Sequence, residues 1–368
     1  MAAKAFRHVR TRGAPFERGR QYGDQAGDLI ARFVDRLVDG ARRRRPDLTR
    51  ADMLRRTLAF APLYDAFAPR LVEEIRGVAA GARVEFAAAL LCNVRGELNG
   101  LLAREEASRA AAEQGGCTAF AFGRSVTRGG EVLAGQNSDQ GPDAIEVSLV
   151  LSVEPDDAPP LVIFTHAGEI GYHGLGGVAH FANAVPPAGP WRLAMPHYLM
   201  KRVLLAQAGV EECLALMRPA RVASPANYVL ADRRGRLLDV EMALDRVETI
   251  EPREDVLVHA NHYEHPALAH LNAGASGLAN WSGQTPLARS TCRSERLAAI
   301  VRAGRGQLDV ALIKSALADH AGSAATICAH DASYMVTTAS LIAEVEQGRL
   351  HVSYGNPCQG SWSVYGLP

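Results

Sequence analysis

At residue 117 the texture of this chain changes, and that change limits the folds open to it. Before it, apolar residues recur at three and four positions, in Leu29, Ile30, Phe33 and Leu37 and then in Leu54, Leu58, Leu63, Phe67, Leu71 and Ile75. That spacing paints a stripe along one face of an α-helix. Val84 to Leu102 continues the pattern, and Gly40, Pro46, Pro69 and Gly81 are expected to break it into separate helices. After it, short apolar runs bounded by Gly, Pro and Asp predict strands at 118–124, 131–135, 145–153, 161–166 and 177–185. Helical segments around 196–217 follow, then strands near 226–231, 236–242 and 256–260, helices at 293–303 and 309–318, and strands near 335–340 and 349–354. Strands that come in runs, instead of alternating with helices, make an α+β layered fold with sheets packed between helices.

The chain of 368 residues, 48% of them hydrophobic, can fill one large core or two ordinary ones. Forty basic residues balance forty acidic ones, so no overall charge drives binding to nucleic acid or to an anionic membrane. The basic run Arg42 to Arg45 sits before Pro46, where cations suit the carbonyl end of a helix. Residues 1–116 carry 21 Lys and Arg against 15 Asp and Glu, and residues 117–368 carry 19 against 25, so the two parts have opposite net charge. The opening residues lack the apolar core of a secretory signal, and no apolar run is long enough to span a bilayer, so a soluble cytoplasmic protein is expected. Its six cysteines are scattered, which predicts free thiols. Cys92, Cys213, Cys292, Cys328 and Cys358 are expected to serve packing.

Cys117 is placed differently, directly after Gly115 and Gly116 and directly before an expected strand. Two readings stand side by side. One is a turn followed by a buried cysteine. In the other, the flexible glycines expose the Gly116 carbonyl to the Cys117 sulfur, an N-to-S acyl shift and hydrolysis cut the chain, and Cys117 becomes a new N-terminus. A free α-amine, with an ordinary pKa of about 7.7–8, can then take the proton from its own thiol.

A series of motifs tips the balance: GAPFERGRQYG, EEIRGVAAGARVEFAAALLCNVRGEL, GCTAFAFG, LAGQNSD, GYHGLGG with FANAV after it, NYVLAD, HANH, STCRSERL and VSYGNPC, in that order. Together they resemble the penicillin acyltransferase-like family of autoproteolytic acyltransferases and hydrolases, within the N-terminal-nucleophile hydrolases. The resemblance implies an αββα four-layer sandwich, made as a precursor and cut between Gly116 and Cys117. Residues 1–116 would form a helical α fragment, released or kept, and 117–368 the catalytic β fragment. It further implies Cys117 as nucleophile, Asp139 as the carboxylate that orients the new amine, and Asn261 as oxyanion donor. Arg293 is the match for the residue supporting that carboxylate, with Arg296 as competitor.

Two departures from the family pattern concern the pocket. Ser138 and Gln140 stand where the family has aromatic residues, which makes the wall beside the nucleophile smaller and more polar. Gly171-Tyr172-His173 replaces a Gly-x-Asn motif, with Tyr172, His173 and Ser138 as candidate substrate-lining residues. The expected reaction is hydrolysis of a small N-acyl compound through a thioester on Cys117. The alternatives are transfer of an acyl group from a donor such as acyl-CoA to an amine, or a binding protein that has kept the fold without the chemistry. No cofactor is expected, acyl-CoA being a possible co-substrate, and a homo-oligomer is compatible with the sequence. His259, His262 and His265 have a spacing that can hold zinc, but no ligand besides Glu264 lies near to complete the set, so no metal is expected. The glycines at 171–177 do not match a phosphate-binding loop.

Overall fold

The computed structural model describes residues 4–105, 116–275, 285–321, 325–331 and 335–368; Gly115 lies outside them. In chain order the elements are β1 (Arg7–Gly13), α1 (Pro15–Arg44), α2 (Arg50–Thr57), α3 (Ala61–Phe67), α4 (Pro69–Ala82), α5 (Phe86–Cys92), α6 (Arg95–Glu105), β2 (Thr118–Phe122), β3 (Leu133–Gln140), β4 (Ser148–Pro155), β5 (Leu161–His166), β6 (His173–Leu175) and β7 (Val178–Ala184). Then come α7 (His197–Leu205), α8 (Val210–Met217), β8 (Ala226–Asp232), β9 (Leu237–Ala243), β10 (Arg246–Ile250), β11 (Val256–His259), α9 (Pro286–Ala303), α10 (Val310–Leu317), β12 (His330–Asp331), β13 (Met335–Glu344), β14 (Arg349–Ser353) and β15 (Trp362–Gly366).

The strands form two sheets. One runs β1-β4-β5-β6-β7-β8-β9-β10; the other runs β11-β2-β3-β13-β14-β15, with β12 added beside β13. Side chains that alternate along each strand build separate cores on its two faces. In β4, Leu149, Leu151 and Val153 pack under α1, α4 and α5, while Val150 faces the second sheet. In β2, Ala119 and Ala121 face the first sheet, while Phe120 and Phe122 pack under α9 and α10. The order is therefore helix, sheet, sheet, helix. Strands buried on both faces read as continuous apolar runs, which is why most of them are legible before the structure is known.

The helix boundaries follow local chemistry. Pro69 opens α4 at a position where its missing N–H costs nothing, and Arg83 closes it in the left-handed region. Thr285 caps α9 by accepting from the Ala288 N–H, and Asp309 caps α10 by accepting from the Leu312 N–H. Two expected breaks did not occur. Gly40 lies inside α1, and Gly81 lies inside α4 as a contact residue. A Cβ on Gly19 or Gly77 would sit 2.0 Å from the Glu74 or Phe16 carbonyl oxygen, and one on Gly81 2.1 Å from that of Arg20. The glycines let α1 and α4 touch backbone to backbone.

The N-terminal region is not all helical, as expected from its periodicity. Arg7–Gly13 forms a strand that pairs parallel with β4 at the edge of the first sheet. Its sequence, RHVRTRG, has only Val9 and Thr11 buried, too little alternation to separate it from a polar leader. β6, β10, β12 and β15 were also missed; β6 and β12 are short, and β10 and β15 are sheet edges with mixed exposure.

Candidate active site

The second sheet brings the expected site residues together because β2 lies between β11 and β3. Thr118 sits opposite Asn137 on β3, so the register carries Cys117 alongside the end of that strand where Ser138 and Asp139 lie. The Cys117 Sγ is 3.9 Å from the Asp139 carbonyl oxygen. On the other side, β11 ends at His259, and Asn261 follows two residues later against the first turns of α9. Ser290 on α9 fixes that corner: its hydroxyl accepts from the Asn261 backbone N–H at 2.6 Å and lies 2.8 Å from His262 Nδ1.

Arg293, one turn further along α9, is buried and spans the site. Its Nη2 donates to Asn261 Oδ1 at 2.6 Å and lies 3.5 Å from the Cys117 carbonyl oxygen, while its Nε donates to Thr118 Oγ1 at 3.2 Å. A guanidinium can only donate, so the Asn261 oxygen must face it and the amide NH2 must point away. One of those two hydrogens goes to the Ala184 carbonyl at 2.9 Å. The other is uncommitted within the described contacts. Arg296 faces away and pairs with Asp319 at 2.7 Å. Of the two candidates, Arg293 is therefore the one in the site, but its side chain hydrogen-bonds Asn261 and not Asp139.

Asp139 is held instead by Thr337, its cross-strand neighbour on β13, whose hydroxyl donates to Oδ1 at 2.7 Å. The other oxygen, Oδ2, is buried and has no partner among the described residues. It faces Gly116: a Cβ there would stand 2.7 Å from it, so no larger residue fits without displacing the carboxylate. Burial pushes the Asp139 carboxyl up to about 7, against the opposing pull of Arg293, Thr337 and Arg289. Burial, and then the Asp139 charge, push the Cys117 thiol up to about 11, while Arg293 and Lys201 pull it down. Both groups lack a neighbouring cation close enough to offset desolvation.

The pocket-side residues divide. Ser138 is buried on β3 and accepts from Gln140 Nε2 at 3.1 Å; the same amide donates to the Tyr172 hydroxyl at 3.3 Å. Tyr172 carries Lys201 Nζ over its ring at 4.4 Å. His173 is only 1% exposed; its Nδ1 accepts from the Ala182 N–H and its ring stacks near His180 and Phe181. It belongs to the packing between the sheets more than to an open wall.

Sequence reading missed Thr337 and Lys201. Thr337 is joined to Asp139 only by the pairing of distant strands, and nothing local marks it. Lys201 had a signal: with Arg202 it forms a pair of cations inside the largely apolar HYLMKRVLL helix, and burial lowers Lys201 to about 8. The three histidines after β11 do not converge on one point. His259 Nε2 bonds Glu241 at 2.9 Å, His262 bonds Ser290, and His265 Nδ1 accepts from the Ala267 N–H. Of the five cysteines assigned to packing, Cys92, Cys213 and Cys328 are buried, but Cys292 and Cys358 are exposed, which corrects that expectation; all six are free thiols.

Two sheets packed between helical layers, with a thiol just ahead of an inner strand, make the α+β sandwich that the motif resemblance implies. Residues 126–359, more than half of the chain, match the family described as acyl-coenzyme A:6-aminopenicillanic acid acyl-transferase, and the chain belongs to that family. The acyl-coenzyme A:6-aminopenicillanic-acid-acyltransferase 40 kDa form of Emericella nidulans is 25% identical over 259 residues, 69% of this chain and 69% of that protein. Among solved structures, a mutant conjugated bile acid hydrolase from Clostridium perfringens is similar with 12% identity and a TM-score of 0.44, over 68% of this chain and 92% of that one. Penicillin V acylase from Agrobacterium tumefaciens is similar with 14% identity and a TM-score of 0.43, over 65% and 83%. The protein is thus an enzyme of acyl and amide chemistry, which removes the non-catalytic reading. Among the described residues no helix is long and apolar enough to cross a membrane.

Proposed function

We propose that the chain is made as a precursor, cuts itself between Gly116 and Cys117, and uses the freed cysteine to hydrolyse a small N-acyl compound. The observation that carries this reading is the buried, unpartnered Oδ2 of Asp139 pressed against Gly116. A half-satisfied buried carboxylate is costly. Cleavage supplies what it lacks, because the new Cys117 α-ammonium is a cation formed at that spot. The pairing would favour the ionised Asp139 and hold the amine in place.

In the first step Cys117 Sγ attacks the Gly116 carbonyl carbon, the C–N bond breaks as the nitrogen takes a proton, and water hydrolyses the resulting ester of the thiol. In turnover the free α-amine accepts the thiol proton and the thiolate attacks the substrate carbonyl. The spare Asn261 N–H stabilises the tetrahedral oxyanion, with Arg293 fixing the amide in that orientation. The ammonium then returns the proton to the leaving amine, and water releases the acid from the thioester. Asn261→Ala is expected to lower kcat on the order of 10²–10³-fold.

Hydrolysis is favoured by the small polar wall of Ser138, Gln140 and Tyr172, which suits a compact acyl compound. The second reading, transfer from a thioester such as acyl-CoA to an amine, is supported by the activity named for the family and for the fungal relative. Neither needs a cofactor or a metal in the chemical steps. The proposed setting is the cytoplasm, where six free thiols stay reduced.

Intact mass and N-terminal sequencing of the purified protein test the first claim. The expected result is two fragments, one starting at Cys117, and a single uncut chain for Cys117→Ala. A wild-type chain that never yields a Cys117 N-terminus, or a Cys117→Ala chain that is still cut there, would overturn it. Hydrolysis and transfer are separated by titrating an amine acceptor against one acyl donor; a free-acid yield that stays constant excludes transfer.

A further inference from the structure

Where β12 pairs with the start of β13, four side chains converge from three segments. His320 follows α10, Cys328 and His330 lead into β12, and Cys358 lies in the turn between β14 and β15. Their donor atoms all lie within 4.8 Å of one another. We propose that His320, Cys328, His330 and Cys358 bind one Zn2+ ion as a structural clip.

The argument is geometric. With Zn–S of about 2.3 Å and Zn–N of about 2.0–2.1 Å, tetrahedral coordination sets the S–S edge near about 3.8 Å, N–N near about 3.3 Å and N–S near about 3.5 Å. The structure has Cys328 Sγ to Cys358 Sγ at 3.9 Å, His320 Nε2 to His330 Nε2 at 3.0 Å, and His330 Nε2 at 3.4 and 3.3 Å from the two sulfurs. Hydrogen bonding alone does not account for this. His330 Nε2 offers one proton or one lone pair and yet has three close neighbours. An ion at the centre, with each atom aiming a lone pair inward, serves all of them.

The chemistry selects the ion. Two thiols and two imidazoles suit Zn2+ and not Mg2+ or Ca2+. On binding, each thiol gives its proton to solvent, and two thiolates with two neutral rings bring the site to zero net charge. Asn356 Nδ2 donates toward Cys328 Sγ at 3.6 Å and to the Ala329 carbonyl at 2.7 Å, a supporting contact for a thiolate. Cys328 is buried while the other three are exposed, which leaves an entry path. Four protein ligands leave no open position, so the role is structural.

The clip has a second effect. Ala329, between two ligands, donates its N–H to Thr337 Oγ1 at 2.9 Å and accepts from the Thr337 N–H at 3.0 Å. Thr337 is the residue that holds Asp139. The ion would brace the wall behind that carboxylate without touching the reacting atoms.

The test uses the full chain in a Cys117→Ala background, so that the site thiol does not contribute, stripped by chelator under reducing conditions and titrated with Zn2+ or Co2+. The expected outcome is one equivalent bound per chain, a tetrahedral Co2+ spectrum with thiolate charge transfer, and a raised unfolding midpoint. His320→Gln and Cys358→Ser, both at exposed positions, should each weaken Zn2+ binding at least ~10-fold while the circular dichroism spectrum stays unchanged. A folded chain that takes up no metal, or a His320→Gln/Cys358→Ser chain that binds as tightly, overturns the proposal. So does a Cys328–Cys358 disulfide whose reduction leads to no uptake.

Discussion

Glu74 and Asp139 are both buried carboxylates, and they are treated in opposite ways. Glu74, on α4, receives Arg18 Nε from α1 at 2.6 Å and Arg202 Nη2 from α7 at 3.0 Å, with all three side chains under 5% exposed. Asp139 receives one hydroxyl, and the cation that acts on it most strongly, Arg293, directs its N–H groups to Asn261, Thr118 and the Cys117 carbonyl. The first acid is compensated and locks three helices to one another. The second is left incomplete beside the bond that is proposed to break. A buried carboxylate with its partners in place is architecture, and Asp139, short of one beside Gly116, is the acid that the proposed new amine would complete.

Four substitutions probe the contrast. Cys117→Ala should abolish turnover, a loss on the order of 10⁶ in kcat, and leave stability near wild type. A variant that turns over normally would place the chemistry on another residue. Glu74→Ala should act only on stability, by about 3–5 kcal/mol, because Arg202 is left buried without its ion-pair partner and Arg18 keeps Asp157 alone. Urea unfolding measures it, and cleavage at Cys117 should proceed as before in whatever folds.

Asp139→Asn should do the reverse, removing a charge-assisted contact worth about 1.5–3 kcal/mol and so slowing turnover about 10–150-fold. Its pH signature is distinctive. In the uncut Cys117→Ala chain the carboxyl titrates near 7, above its unfolded value, so its contribution to stability is complete below about 4 and is lost as pH rises through 7. That slope should vanish in Cys117→Ala/Asp139→Asn. The smallest effect belongs to Thr337→Val, about 1 kcal/mol from one lost hydrogen bond. Because the hydroxyl favours the ionised acid, its removal should raise the Asp139 pKa and shift the acid limb of the activity profile to higher pH.

What the sequence revealed follows from where information is local. Strands buried on both faces, such as Leu161–His166, announce themselves by unbroken apolar runs, whereas the helix expected at 293–303 begins seven residues earlier, at Pro286 behind its Thr285 cap. Cys117, Asp139 and Asn261 were visible through short motifs next to strand ends. β1 was hidden because only one face of it is apolar and five of its seven residues are not buried. Thr337 and Lys201 were hidden because each meets the site through packing between distant segments. The cysteine and histidine cluster was hidden for the same reason: its four members span residues 320 to 358 with no pair at CxxC spacing. Gly81 was misread because a glycine chosen for helix contact looks, in one dimension, like a glycine that ends a helix.

The parallel pairing of β1 with β4 has a physical consequence for the cleavage proposed above. If the chain is cut before Cys117, a strand stitched into the rim of the larger sheet, with α1 behind it, would hold the N-terminal piece in place. The nicked enzyme would migrate as one species in gel filtration and as two in denaturing electrophoresis. Once separated in denaturant, the two pieces would have to be mixed again before either regained its shape.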